Sequence, residues 1–189
     1  MSLVATVVLL AVAIGYAAGG RLRHIAQIPF RRIWMVWIAF LLQFLLPFLD
    51  ESTRRTLRVP ILAVAFVLAM WWIVGTWPVL TRWLRAGLVL VVVGWAMNFT
   101  VIALNNGMPV SAETLDRVGL PSDNIESGDL NKHVTLDDDT LLPWLGDMIP
   151  LPLAGPLRKA ISLGDVVMLL GLLVFIPVGM RQEPDEATA

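Results

Sequence analysis

Five long apolar stretches, at about 3–19, 33–49, 59–77, 86–104 and 163–180, constrain this chain more than any motif in it. Each approaches or reaches the ~17–25 residues that a helix needs to cross a bilayer core of ~30 Å. None contains Lys or Arg, and Asp165, in the first turn of the last stretch, is the single charge within these limits. In hydrocarbon every backbone N–H and C=O must be satisfied within the fold, which for apolar runs of this length means helices. The expected fold class is therefore all-α: a polytopic membrane helix bundle of five transmembrane helices. A chain that is 57% hydrophobic, with mean hydropathy +0.75, does not have the composition of a soluble domain. One membrane domain, 1–189, is expected, with a single sizeable extramembrane segment at 105–162. The absence of cysteine excludes disulfides, thiol nucleophiles and thiolate metal sites.

The first stretch lacks the basic region that precedes the apolar core of a secretory signal. Met1 and Ser2 carry no side-chain charge, and Arg21, Arg23, Arg31 and Arg32 follow it instead. That order fits a retained helix whose C-terminal end faces the cytoplasm. Arg82, Arg85 and Arg181 fall on the same side, whereas Arg54, Arg55 and Arg58 occupy the short loop opposite. The long segment 105–162 is rich in acids, and basic residues in long loops count for little in topology. These counts give the N-terminus outside, the C-terminus cytoplasmic and 105–162 outside, in a plasma membrane.

Within the spans, Ala11, Gly15 and Gly19 recur every fourth residue, a spacing that lets helix backbones approach closely. Gln43 lies well inside the second span and is expected to face another helix, because an unpaired amide facing lipid is costly. Pro60 is placed at the start of the third span, where its missing N–H is harmless. Trp34, Trp37, Trp71, Trp72 and Trp77 suit an interfacial aromatic belt, and Arg82, Trp83 and Arg85 suit contact with lipid phosphate. In the fourth span Gly94, Asn98 and Asn105 share one face, which should meet protein or water. Asn105-Asn106-Gly107-Met108-Pro109 then ends that helix through a left-handed cap.

A short helix is expected from Ser111-Ala112-Glu113, and a solvated loop over 119–131. Residues 141–153 are apolar but too short and too proline-rich to span a membrane. They are expected to lie in the interface or fold back over the outer helix ends, a partly embedded extracytoplasmic lid between helices four and five.

Asp147 and Asp165 are the candidate catalytic residues. Each follows Leu-Gly and sits among apolar neighbours, where desolvation and a second carboxylate raise a carboxyl pKa. Two aspartates sharing a proton form the machinery of aspartic proteolysis. Against this, Ser162-Leu163-Gly164-Asp165 has capping-box spacing, and Asp147 fits a turn before Pro150. His133 with Asp137, Asp138 and Asp139 matches no metal motif and reads as a solvated turn. No metal and no cofactor is expected.

Three motifs also carry a resemblance. Asn106-Gly107-Met108-Pro109-Val110-Ser111, Leu142-Pro143-Trp144-Leu145-Gly146-Asp147-Met148-Ile149-Pro150 and Ile161-Ser162-Leu163-Gly164-Asp165-Val166 with Gly171 resemble the bacterial membrane family labelled domain of unknown function 5317. The resemblance implies a membrane fold and no particular reaction. It directs attention to Asn106, Gly107, Pro109, Gly146, Asp147, Gly164 and Asp165. A slighter likeness joins Asn105-Asn106-Gly107 and Ser162-Leu163-Gly164-Asp165 to lipoprotein signal peptidase, whose Asn-x-x-Asp-Arg motif is missing here.

Two functions from different classes follow. In the first, a non-enzymatic module, Asn98, Asn105, Asp147 and Asp165 hold 141–153 against the bundle and shape a cleft for membrane lipid or a membrane-protein partner, a second copy included, with Asn106, Gly107, Pro109, Gly146 and Gly164 as further binding residues. In the second, Asp147 and Asp165 act as acid and base of a membrane-embedded hydrolase. A small transporter is third, and no inverted repeat or broken central helix supports it. Nothing in the chain points to nucleic acid.

Overall fold

Helix accounts for 71% of the described residues in a computed structural model, which describes residues 3–120, 133–153 and 158–182. Among the described residues the helices are α1 (Leu3–Ala17), α2 (Leu22–Gln27), α3 (Trp34–Leu45), α4 (Glu51–Thr76), α5 (Arg82–Asn105), α6 (Ala112–Arg117) and α7 (Leu163–Arg181). Single 3-10 turns extend α3 and α4. Three helical segments among the described residues are long and apolar enough to cross a membrane: Glu51–Val79, Arg82–Asn105 and Leu163–Arg181. The first two apolar stretches form shorter helices, and the 15 residues of α1 rise only about 22 Å at 1.5 Å each.

The core of the bundle is the antiparallel seam between α5 and α7, and glycine makes it close. Gly87 and Gly94 on α5 oppose Gly171 and Gly164 on α7. A Cβ on Gly94 would overlap the Gly164 carbonyl, and one on Gly171 would lie 2.6 Å from the Val91 nitrogen. Between helices in lipid, where apolar burial drives little, such backbone contact supplies dispersion energy directly.

Against the other side of α7 lies α1, with Ala11 and Gly15 buried. A Cβ on Gly15 would overlap the Met180 sulfur, whereas Gly19 takes φ +80 in the turn and touches nothing within 4 Å; Gly20 meets Met180 in its place. Two of the three small residues singled out thus serve the contact, and the third serves the turn. After that turn, the Arg21 N–H donates to the Met180 carbonyl at 2.7 Å, and His24 Nδ1 lies 2.9 Å from the same oxygen. The short α2, which the hydropathy pattern does not reveal, thereby satisfies a C-terminal carbonyl of α7.

Helices α3 and α4 form a hairpin around Met35, Ala39 and Ala65, and much less of α4 is buried than of α7. The helix α4 begins eight residues before the apolar stretch because Asp50 caps it. The Asp50 carboxylate accepts from the Thr53 N–H at 3.1 Å and from the Ser52 hydroxyl at 2.6 Å. Pro60 is therefore not at a helix start but inside α4. Gln43 also departs from expectation: its amide donates to Ala39 O in its own helix at 3.3 Å. It lines an apolar groove of ≈ 470 Å³ with Phe40, Phe44, Pro47 and Phe48.

Beyond α5 the all-α expectation gives way locally to four short strands among the described residues. Strand β1 (Met108–Val110) pairs in parallel with β2 (His133–Thr135), and β3 (Ile149–Leu151) pairs antiparallel with β4 (Lys159–Ile161). Three-residue strands show no readable alternation, and Pro109 and Pro150 at the centres of β1 and β3 read as breakers. The short helix α6 forms as expected, with the Ser111 hydroxyl accepting from the Thr114 N–H. The loop expected over 119–131 lies, apart from residues 119 and 120, outside the described residues.

Candidate functional site

The strands and α6 gather at the end of the bundle where α5 finishes and α7 begins, and two polar clusters form there. The first joins the helices. Ser162 caps α7 by accepting from the Asp165 N–H at 2.9 Å, and the Asp165 carboxylate reaches back to the Ser162 N–H at 3.5 Å. This is the capping box that the spacing allows. Asn98 of α5 completes it: its amide donates to Asp165 Oδ1 at 2.8 Å, and its Oδ1 accepts from the Ser162 hydroxyl at 2.8 Å. Gly164 is required beside it, since a Cβ there would overlap Asn98 Oδ1.

The second cluster lies between β2 and the turn before β3. His133 Nε2 is 3.0 Å from Asp147 Oδ2. Asp147 is only 6% exposed, and burial pushes its carboxyl above the usual carboxylate range. The negative charge of Asp165 adds to that push, while the hydrogen bond and charge of His133 and the charge of Lys159 oppose it. Asp147 Oδ1 and His133 Nδ1 are both buried without a hydrogen-bond partner among the described residues.

The remaining predicted residues place these clusters. Asn105 makes a reciprocal clamp: its Oδ1 accepts from the Leu141 N–H at 2.9 Å, and its amide donates to the Leu141 carbonyl at 2.9 Å. Residues 143–145 then pack on α5 and α7, with Leu145 buried against Val101 and Met108. Asn106 takes the left-handed cap of α5 at φ 51, and its carbonyl accepts from Arg58 at 2.6 Å. Gly107 admits Val134 of β2, and Gly146 admits the Pro109 carbonyl, each at a distance that a Cβ would violate. That carbonyl accepts the Asp147 N–H at 2.8 Å, and a parallel bridge joins Val110 to Asp147.

The structure thus gathers every predicted site residue at one end, but it gives the two aspartates different partners. Among the described residues no hydrogen bond joins Asp147 to Asp165. His133 departs from the sequence expectation: it sits in β2 and meets Asp147, not a solvated turn. Asp137 does form such a turn, closed through Thr140 and the Asp139 N–H. No signal in the chain joins His133 to an aspartate 14 positions on, because β1 brings them together by lying between their backbones. No group of three or more His, Asp or Glu positioned for a metal occurs among the described residues.

The family of unknown function (DUF5317) matches residues 27–177. The chain belongs to that family. The matched region holds both polar clusters and the seam glycines, so the site described here lies inside the family's domain. No curated protein and no solved structure matches the chain.

Proposed function

We propose that this DUF5317 member is a non-enzymatic module of a bacterial plasma membrane. In this reading five helices enter the bilayer, with the N-terminus outside and the C-terminus cytoplasmic. Residues 133–153 and 158–162 form a cap over the outer ends of α5 and α7, and 141–153 is its partly embedded lid. The cap presents an apolar strip to a lipid or to a membrane-protein partner. Leu141, Trp144, Met148, Ile149 and Leu153 are exposed there despite their size, which fits an interfacial depth better than water.

The observation that carries this reading is the separate engagement of the two acids. Asp165 is held by Ser162 and Asn98, and Asp147 by His133. Each carboxylate fastens a different piece of backbone, as a scaffold requires, whereas a dyad sharing one proton needs the two carboxyls in direct contact. The test is native mass spectrometry of the protein released from a mild detergent. A retained lipid or membrane protein, weakened by Trp144→Ser, is the expected result. Hydrolysis of a peptide or lipid-linked substrate that Asp147→Asn and Asp165→Asn each abolish, with melting unchanged, overturns it.

A further inference from the structure

The opposite end of the molecule carries a different surface, basic and rich in tryptophan. Ile28 and Phe30 pack with Leu80, Leu84 and Trp72, which brings the 28–32 segment against the end of α4 and the start of α5. Three guanidinium groups then lie on indole faces. Arg32 is 5.9 Å from the ring centre of Trp71, Arg82 is 5.1 Å from that of Trp83, and Arg85 is 5.3 Å from that of Trp77. Arg85 also donates from Nε to the Trp77 carbonyl at 3.2 Å, which fixes its plane.

Among the described residues no carboxylate answers these charges. The sequence has no Asp or Glu at 3–49, at 52–112 or at 166–182. The ion pairs among the described residues, Arg55–Glu51, Arg117–Glu113 and His133–Asp147, all belong to the other end. Arg32 and Arg82 are exposed, as are Trp71, Trp77 and Trp83. An indole face orients a guanidinium while leaving its edge N–H groups for a second partner, and that fork matches the paired oxygens of a phosphate.

We infer that Arg32, Arg82 and Arg85, braced by Trp71, Trp83 and Trp77, form a site for the phosphate headgroup of an anionic phospholipid. This rests on the membrane reading above but concerns the end remote from the cap. Indole rings favour the depth at which headgroup phosphates lie, so a lipid meets both halves of the site at once. A zwitterionic lipid brings the same phosphate with a cation attached, and the patch has no acid among the described residues to receive that cation.

The test is competitive lipid retention in native mass spectrometry, with the full chain taken from nanodiscs holding equal phosphatidylglycerol and phosphatidylcholine. The wild type is expected to retain phosphatidylglycerol preferentially. Arg32→Gln, Arg82→Gln and Arg85→Gln should each reduce that preference about fivefold, the size expected for one basic group at a lipid surface. Arg55→Gln, at the other end, should leave it unchanged. Because Arg82 is exposed, its variant serves if the others fail to fold, and the wild-type preference needs no variant at all. Equal retention of the two lipids overturns the inference, as does loss of bound lipid to millimolar inorganic phosphate, which would mark a site for free anions. A chain that carbonate extraction releases from membranes fails the membrane reading itself, so the two failures are distinct.

Discussion

His133 Nε2 lies 3.0 Å from Asp147 Oδ2, and this pair ties the strand β2 to the turn that precedes β3. Neither backbone segment is long enough to hold its position by its own ladder. The side-chain pair therefore adds to the strand pairing that holds the cap, at the cost of enclosing a carboxylate.

That enclosure predicts a pH dependence. Burial raises the Asp147 carboxyl above its usual 3.8, so the folded state keeps the proton to higher pH than the unfolded chain does. Its relative contribution is fully present below 3.8 and is lost as pH rises through the raised value. Melting in detergent should fall across that window in the wild type and lose this decline in Asp147→Asn. His133→Gln removes an influence that lowers the carboxyl, so its decline should extend to higher pH.

Asp165 separates a cap from an acid. Asp165→Asn keeps one carbonyl oxygen, which can accept from the Asn98 amide or from the Ser162 N–H but not from both, whereas Asp165→Ala keeps none. The alanine variant should lose about 1–2 kcal/mol of stability and the asparagine variant clearly less. Equal losses in chemical denaturation would remove the capping role.

The glycine seam predicts an asymmetry among Gly→Ala variants. Gly94→Ala and Gly164→Ala each force α5 and α7 apart and should cost about 1–3 kcal/mol. Gly75, in α4, has no atom within 4 Å of the place an alanine methyl would take, so Gly75→Ala should gain up to about 1 kcal/mol from helix propensity. Thermal melts of the three proteins in one detergent decide this.

The Asn105 clamp predicts a local effect. With Asn105→Ala both bonds to Leu141 disappear, and amide exchange should quicken over 141–147 while the middle of α5 stays protected. Hydrogen exchange read by mass spectrometry resolves the two segments, and uniform exchange across both would refute a local clamp.

What could be read from the residues alone followed from local rules. All five apolar runs form helices, of which three are long enough to cross a membrane, and Asn106 before Gly107 gave the left-handed end of α5. Ser162 three residues before Asp165 gave the capping box. Hydropathy did not place the start of α4, because Asp50 caps a polar first turn that no apolar window includes. The nearness of Asn98 to Asp165 came from the gathering of polar residues on one face of α5, but their contact depends on Gly94 and Gly164 allowing the backbones to touch.

The chain's linear order thus determined where the apolar helices run, though not the start of α4 or the presence of α2, and which residue types avoid lipid, since both depend on neighbours within a few positions. Tertiary structure decided which acid meets which partner. His133 and Asp147 belong to segments with no shared periodicity, and only the strand β1, bonded on one side to β2 and on the other to residue 147, brings them together. Contacts of that kind are set by the packing of whole segments, and nothing in either residue's own surroundings encodes them.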